Sequence, residues 1–127
     1  IGETERMDAT DAAAATVAQL QADLHGAPAG PVLAAYEPVW AIGAPVPAPT
    51  PHIATVTRAL TEALAADPAR GGSVVIYGGS AGPGLLTSLG GAVDGLFLGR
   101  FAHDPEALIA VLDEASALAA ARTGAGA

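Results

Sequence analysis

With 127 residues and 51% apolar side chains, the chain has the length for one small core, built from Ala, Val, Leu and Ile because aromatics are only 4%. A formal charge of −8, from 13 acids against five arginines and no lysine, argues against nucleic acid or an anionic membrane as a general partner. It leaves room for one small phosphorylated ligand, which needs only local donors, while zero cysteines rule out disulfides, thiolate metal sites and a cysteine nucleophile.

The chain opens on Ile1-Gly2-Glu3-Thr4, which reads like the last step of a strand. The spacing of Val17, Leu20 and Leu24 predicts a helix from Asp11 to about Leu24, with Asp8 or Thr10 available as its cap. Gly26-Ala27-Pro28-Ala29-Gly30-Pro31 breaks it. Val32 to Tyr36 is a short, continuously apolar run, the pattern of a strand covered on both faces. Pro38 through Pro51 reads as a loop, with prolines at 38, 45, 47, 49 and 51. A helix from about His52 to Ala66 follows, carrying Ile53, Val56, Leu60 and Leu64 on one stripe, and Thr50-Pro51 suits its cap and first turn. Ser73 to Tyr77 is the next buried strand, Gly84 to Leu89 a short helix, and Val93 to Leu98 a third strand. Asp104-Pro105-Glu106 starts a last helix running to roughly Ala121, with Leu108, Val111 and Leu112 inward, and Thr123 to Ala127 is a frayed tail.

Strand and helix alternate with short links, which means a parallel sheet with right-handed crossovers. Three strands and a stub leave outer edges unpaired, so the chain looks like part of a larger sheet. No apolar run approaches a membrane span and no leader-like region opens the chain, so a soluble, cytoplasmic protein is expected.

One acid stands out. Glu37 sits at the carboxyl tip of a buried strand, where a charge is costly to hold and usually has a task. Glycine turns follow at comparable strand ends, at Tyr77-Gly78-Gly79-Ser80 and Leu98-Gly99-Arg100. Backbone donors at such turns suit an anion, so the set suggests a base working beside a bound anionic group. A plainer account remains open at each place: an acid paired with an arginine, and glycines serving only their turns.

Four segments, taken in order, resemble the triosephosphate isomerase family. Ile1-Gly2-Glu3-Thr4 is similar to the end of strand five. Tyr36-Glu37-Pro38-Val39-Trp40-Ala41-Ile42-Gly43 is similar to strand six and the start of its mobile lid. Tyr77-Gly78-Gly79-Ser80 resembles loop seven, and Asp94-Gly95 through Gly99 resembles strand eight with its phosphate turn. The resemblance implies a parallel (β/α)8 TIM barrel of roughly 250 residues. Residues 1–127 would form the C-terminal half of that single domain, from the end of strand five to helix eight, with the N-terminal half absent. It implies Glu37 as catalytic base, Gly43, Ser80 and Gly99 as donors to the substrate phosphate, and a lid begun by Pro38, Val39, Trp40, Ala41 and Ile42. Ser80 would donate through its backbone N–H or its hydroxyl. Trp40 would anchor the lid, with Glu3 near it. A phosphorylated sugar substrate, no metal or organic cofactor, and a homodimer in the full-length protein are implied as well.

This sequence departs from the family pattern in three ways. The lid's usual Thr-Gly-Lys hinge is replaced by Ala44-Pro45-Val46-Pro47-Ala48-Pro49, and prolines fix φ and delete donors, so opening must differ or lessen. The phosphate turn carries Arg100 where a second glycine is usual. That arginine has three possible roles: a charge-assisted bond to the phosphate, a solvent-facing charge, or a filler that reshapes the site. The lysine and histidine electrophiles belong to the N-terminal half, and His25, His52 and His103 read as surface residues. The expected activity is interconversion of dihydroxyacetone phosphate and glyceraldehyde 3-phosphate through an enediolate. Two alternatives stay open: a sister isomerase acting on a tetrulose phosphate, and an inactive phosphate-binding paralogue.

Overall fold

Each of the three apolar runs becomes a strand: β1 (Leu33–Tyr36), β2 (Val74–Gly78) and β3 (Gly95–Phe97). The computed structural model describes residues 1–126. Its strands pair in parallel in the order β1-β2-β3, with Leu33 opposite Val74 and Ile76 opposite Gly95. Parallel neighbours need crossovers, and helices supply them. These are α1 (Ala9–Asp23), α2 (Thr50–Ala66) between β1 and β2, α3 (Leu85–Leu89) between β2 and β3, and α4 (Pro105–Ala125). Ahead of α1, the opening residues run beside β1. The Ile1 amine donates to the Ala35 carbonyl at 2.9 Å, Glu37 N–H to the Ile1 carbonyl at 2.8 Å, and Val39 N–H to the Glu3 carbonyl at 3.0 Å. Bonding at every second residue is a parallel ladder, so the opening residues lie where a further strand would end.

The caps of α1 and α4 follow local chemistry. Asp8 accepts the N–H groups of Thr10 and Asp11, so α1 begins two residues before the expected Asp11. Asp104 does the same for α4 through Glu106 and Ala107. At α2, Thr50 lies inside the helix rather than capping it. Pro49 holds the cap position without any side-chain bond, and Pro51 sits in the first turn, where a missing N–H costs nothing. The tail expected to fray from Thr123 is helical instead, since α4 runs to Ala125 through an alanine-rich stretch that nothing stops before Gly126. Ala127 lies outside the described residues.

The core lies between the sheet and α1, α2 and α3. Ile53, Val56 and Leu60 on α2 are fully buried, each contributing about 2 kcal/mol through the apolar surface it removes from water. Tyr36 and Tyr77, opposite each other on β1 and β2, are fully buried on that side with rings 5.8 Å apart.

Coverage on both faces, expected for β1, is not what this chain builds. Burial alternates, with Ala34 and Tyr36 inside and Leu33 60% exposed, because the helices here cover one face only. Leu112 also turns out, at 56% exposed, while Val111 is buried and Leu108 half-buried. Adjacent helix positions point about 100° apart, and α4 has a narrow contact stripe.

Away from the strands' carboxyl ends, buried Arg70 donates to the carbonyls of Ala27, Pro28 and Gly30 and ties down the loop that leads into β1. Among the described residues, no helix is long and apolar enough to cross a membrane.

Candidate active site

Tyr36 fills the core and the next residue, Glu37, is left half-buried at the carboxyl end of β1. Its side chain lies flat against Gly78 at the end of β2. A Cβ built on Gly78 would sit 2.5 Å from Glu37 Oε1 and 2.6 Å from its Cγ. The absence of a side chain at Gly78 is thus what lets the carboxylate occupy this place. Among the described residues no arginine or lysine pairs with Glu37, which sets aside the plain ion-pair account.

Glu37, Gly43, Ser80, Gly99 and Arg100 line one cavity of about 340 Å³, together with Ile42, Gly79, Ala81 and Phe97. Its walls come from the segments just past the ends of β1, β2 and β3, so parallel strand direction brings together residues spread over more than half the chain. Gly43 has φ +70°, a value costly for most side chains. Ser80 has φ +54° and is the only non-glycine residue with positive φ among those described. None of the backbone hydrogen bonds among the described residues uses the N–H of Gly43, Ser80 or Gly99.

Of the two donors considered for Ser80, the hydroxyl is already engaged. It points to the carbonyls of Ala41, at 3.1 Å, and Ala44. That leaves the backbone N–H for a ligand and makes the side chain a latch on the lid. Arg100 is exposed and leans on the lid. Its guanidinium lies 3.3 Å from the Ala44 carbonyl and 3.5 Å from that of Pro45, and 5.0 Å from the centre of the Phe101 ring. Phe101 in turn packs on Gly82, where any Cβ would strike the ring.

The lid itself starts with buried Pro38 and a 3-10 turn over Val39–Ala41. Ala41 is fully buried, Val39 and Ile42 are about half exposed, and of the five residues from Pro38 to Ile42 only Ile42 reaches the cavity. Trp40 turns the other way and donates its indole N–H to Glu3 at 2.9 Å. The lid's proline-rich return is pinned at Ala48, whose N–H donates to the Tyr77 hydroxyl at 3.1 Å, while that hydroxyl donates to the Gly79 carbonyl. Burial pushes the Tyr77 phenol up. The Ala48 N–H pulls it partly back, and the charges of Glu3 and Glu37 raise it further, so it stays a neutral donor and acceptor.

Sequence reasoning placed His52 on the surface, and this is corrected. Its side chain is 10% exposed, with Nε2 3.0 Å from Glu3 Oε1 and 3.1 Å from the Tyr36 hydroxyl. His25 and His103 are exposed as expected. The sequence carried no signal for His52, because only the fold shows that Glu3 is buried and needs donors. Tyr77 went unremarked because a tyrosine in an apolar strand reads as core.

Parallel strands with a carboxylate and free backbone donors beyond their carboxyl ends define an α/β protein whose site lies where such sheets build theirs. The family model for triosephosphate isomerase matches residues 1–115, and the chain belongs to the triosephosphate isomerase family. It is 50% identical over 122 residues to an L-erythrulose-1-phosphate isomerase of Pectobacterium atrosepticum, covering 93% of this chain and 47% of that protein. It is 40% identical over 107 residues to a protein of the same name from Rhizobium etli, covering 78% and 39%. A triosephosphate isomerase of Leifsonia xyli subsp. xyli is 34% identical over 119 residues, covering 88% and 46%. The chain therefore spans about half the length, or less, of these curated relatives.

Proposed function

We propose that this chain is the second half of a (β/α)8 barrel whose complete form isomerises a phosphorylated ketose and aldose, with Glu37 as the base. One observation carries the reading: the Glu37 carboxylate lines the same cavity as the turns at Gly43, Ser80 and Gly99, whose N–H groups are unpaired. Glu37 takes a proton from the carbon beside the substrate carbonyl, and the electron pair moves to the carbonyl oxygen to give an enediolate. The same carboxyl returns the proton to the neighbouring carbon, while the proton of the adjacent hydroxyl passes to the former carbonyl oxygen, leaving the new carbonyl where the hydroxyl stood. Backbone N–H groups hold the phosphate, fixing which carbon faces the base. The lid excludes water, which strengthens a weak base against a weak carbon acid. Arg100 is the only cation among the cavity residues, so the groups that polarise the carbonyl come from the upstream half. The uncovered face at Leu33 and the unpaired sheet edges support a complementary half. A cytoplasmic homodimer is part of this reading.

A four-carbon ketose phosphate is the favoured substrate over the three-carbon one. The relative at 50% identity is named for L-erythrulose 1-phosphate, whereas relatives named triosephosphate isomerase stand at 34% over 119 residues and 40% over 81. The proline-rich lid return and Arg100 are the two places near the phosphate end where this chain departs from the family pattern.

The test uses the full-length protein with L-erythrulose 1-phosphate and with dihydroxyacetone phosphate, alongside Glu37→Gln. Turnover should favour the four-carbon substrate and fall on the order of 10²-fold or more in the variant. Undiminished turnover by Glu37→Gln would remove the base assignment. Tight binding of a phosphate analogue with no turnover would instead show a paralogue that kept the cradle and lost the chemistry.

A further inference from the structure

Glu3 is a carboxylate only 5% exposed, and such a group persists only when its lone pairs are satisfied. Its partners come from separate elements. The Tyr36 hydroxyl lies 3.1 Å from both oxygens, the Trp40 indole N–H donates to Oε1 at 2.9 Å, and His52 Nε2 lies 3.0 Å from Oε1. The His52 ring also meets the Trp40 ring edge-on, centres 5.6 Å apart. These positions are not scattered with respect to the lid. Tyr36 directly precedes Glu37, Trp40 stands in the lid's first half, and His52 lies in the first turn of α2, just after the lid's proline-rich return. One buried carboxylate therefore joins the two ends of the lid, and His52 holds the far end.

We propose that His52 is a positioning residue for the lid. Its Nε2–H, donated to Glu3, sets that carboxylate so that Trp40, Tyr36 and the start of α2 are fixed relative to one another. An ionised carboxylate only accepts, so the Nε2 that meets it carries a proton. Around the ring stand Glu3, the Tyr36 hydroxyl on β1 and Trp40, with the Arg6 guanidinium 5.1 Å from the Trp40 ring centre. The proposal rests on Glu37 being the base, because a lid matters only if there is chemistry beneath it.

The experiment uses the full-length protein grown with 5-fluorotryptophan, whose Trp40 fluorine resonance is assigned by its loss in Trp40→Phe. In His52→Gln, whose amide still donates to Glu3, it should stay near its wild-type position. In His52→Ala it should be displaced. With substrate, kcat/KM should fall about tenfold in His52→Ala, the worth of one hydrogen bond to a charged group, and stay within about threefold of wild type in His52→Gln. A residue that served only packing would lower thermal stability in both variants and leave the glutamine variant no closer to wild type. A Trp40 resonance unmoved in His52→Ala would overturn the proposal. The spectroscopic reading needs no substrate, so absence of turnover would count against the isomerase reading alone.

Discussion

Gly78→Ala separates the site from the scaffold, because the new methyl would enter space that the Glu37 side chain occupies. The added Cβ would stand 2.5 Å from Oε1, 2.6 Å from Cγ and 2.9 Å from Cδ of Glu37. Those distances are roughly 1 Å short of ordinary van der Waals contact. Gly78 has no positive φ and ends a strand, so the backbone accepts alanine, and the loss of unfolded-state freedom favours the variant by about 0.5–1 kcal/mol. The obstacle is a flexible side chain, and moving it is cheap for the fold. Yet a shift of about 1 Å in a base can cost on the order of 10²-fold in rate. We expect the full-length variant to keep its melting temperature to within a few degrees and to lose turnover on that scale, with kcat falling more than KM changes. Steady-state kinetics with the preferred sugar phosphate, paired with thermal unfolding by circular dichroism, checks both halves. Wild-type kcat in a folded Gly78→Ala protein would refute the claim that the carboxylate works from its place against Gly78.

Two further substitutions probe the supports of the site. Tyr77→Phe removes the acceptor of the buried Ala48 N–H and the donor to Gly79. It should cost about 1–3 kcal/mol in urea unfolding and loosen the lid's return, seen as a lower kcat/KM. Glu114 on α4 accepts the N–H groups of Gly84 and Thr87 and the Thr87 hydroxyl, and so caps α3 from a neighbouring helix. Desolvation pushes its carboxyl up, but these donors outweigh it and the net shift is downward. A lowered carboxyl stabilises the fold above its unfolded value, about pH 4.3, and that contribution fades as pH falls through the lower native value. The stability gap between wild type and Glu114→Gln, about 1 kcal/mol near neutrality, should therefore hold down to about pH 5 and close below about pH 4. A gap that stayed constant to about pH 2.5 would contradict the capping role.

The alternation of strand and helix was legible from local pattern, and so was the placement of Glu37 at a strand tip. Val74 to Gly78 and Ile53 to Leu64 show why: a run of two-faced apolar residues or a stripe at helical spacing reports on its own neighbours. The candidate residues at 37, 43, 80, 99 and 100 were named together through the family resemblance, and parallel crossovers explain why their turns share one end of the sheet. Bonds between distant side chains were not legible. His52 and Glu3 are 49 positions apart, and no periodicity relates them. Likewise, nothing in Gly-Gly-Ser says that the serine hydroxyl turns toward Ala41 and Ala44 instead of the cavity.

The sequence by itself determined a parallel α/β chain, acidic overall, with one carboxylate and several glycine turns at its strand ends. Period, breakers and caps act over a few residues, and that range suffices for such features. Only the tertiary structure decided which face of β1 is covered, that Glu3 is buried and shared among Tyr36, Trp40 and His52, and that Arg100 leans on the lid. Those outcomes depend on which distant groups can satisfy a buried charge or an open carbonyl, and only the folded arrangement brings them within hydrogen-bonding reach.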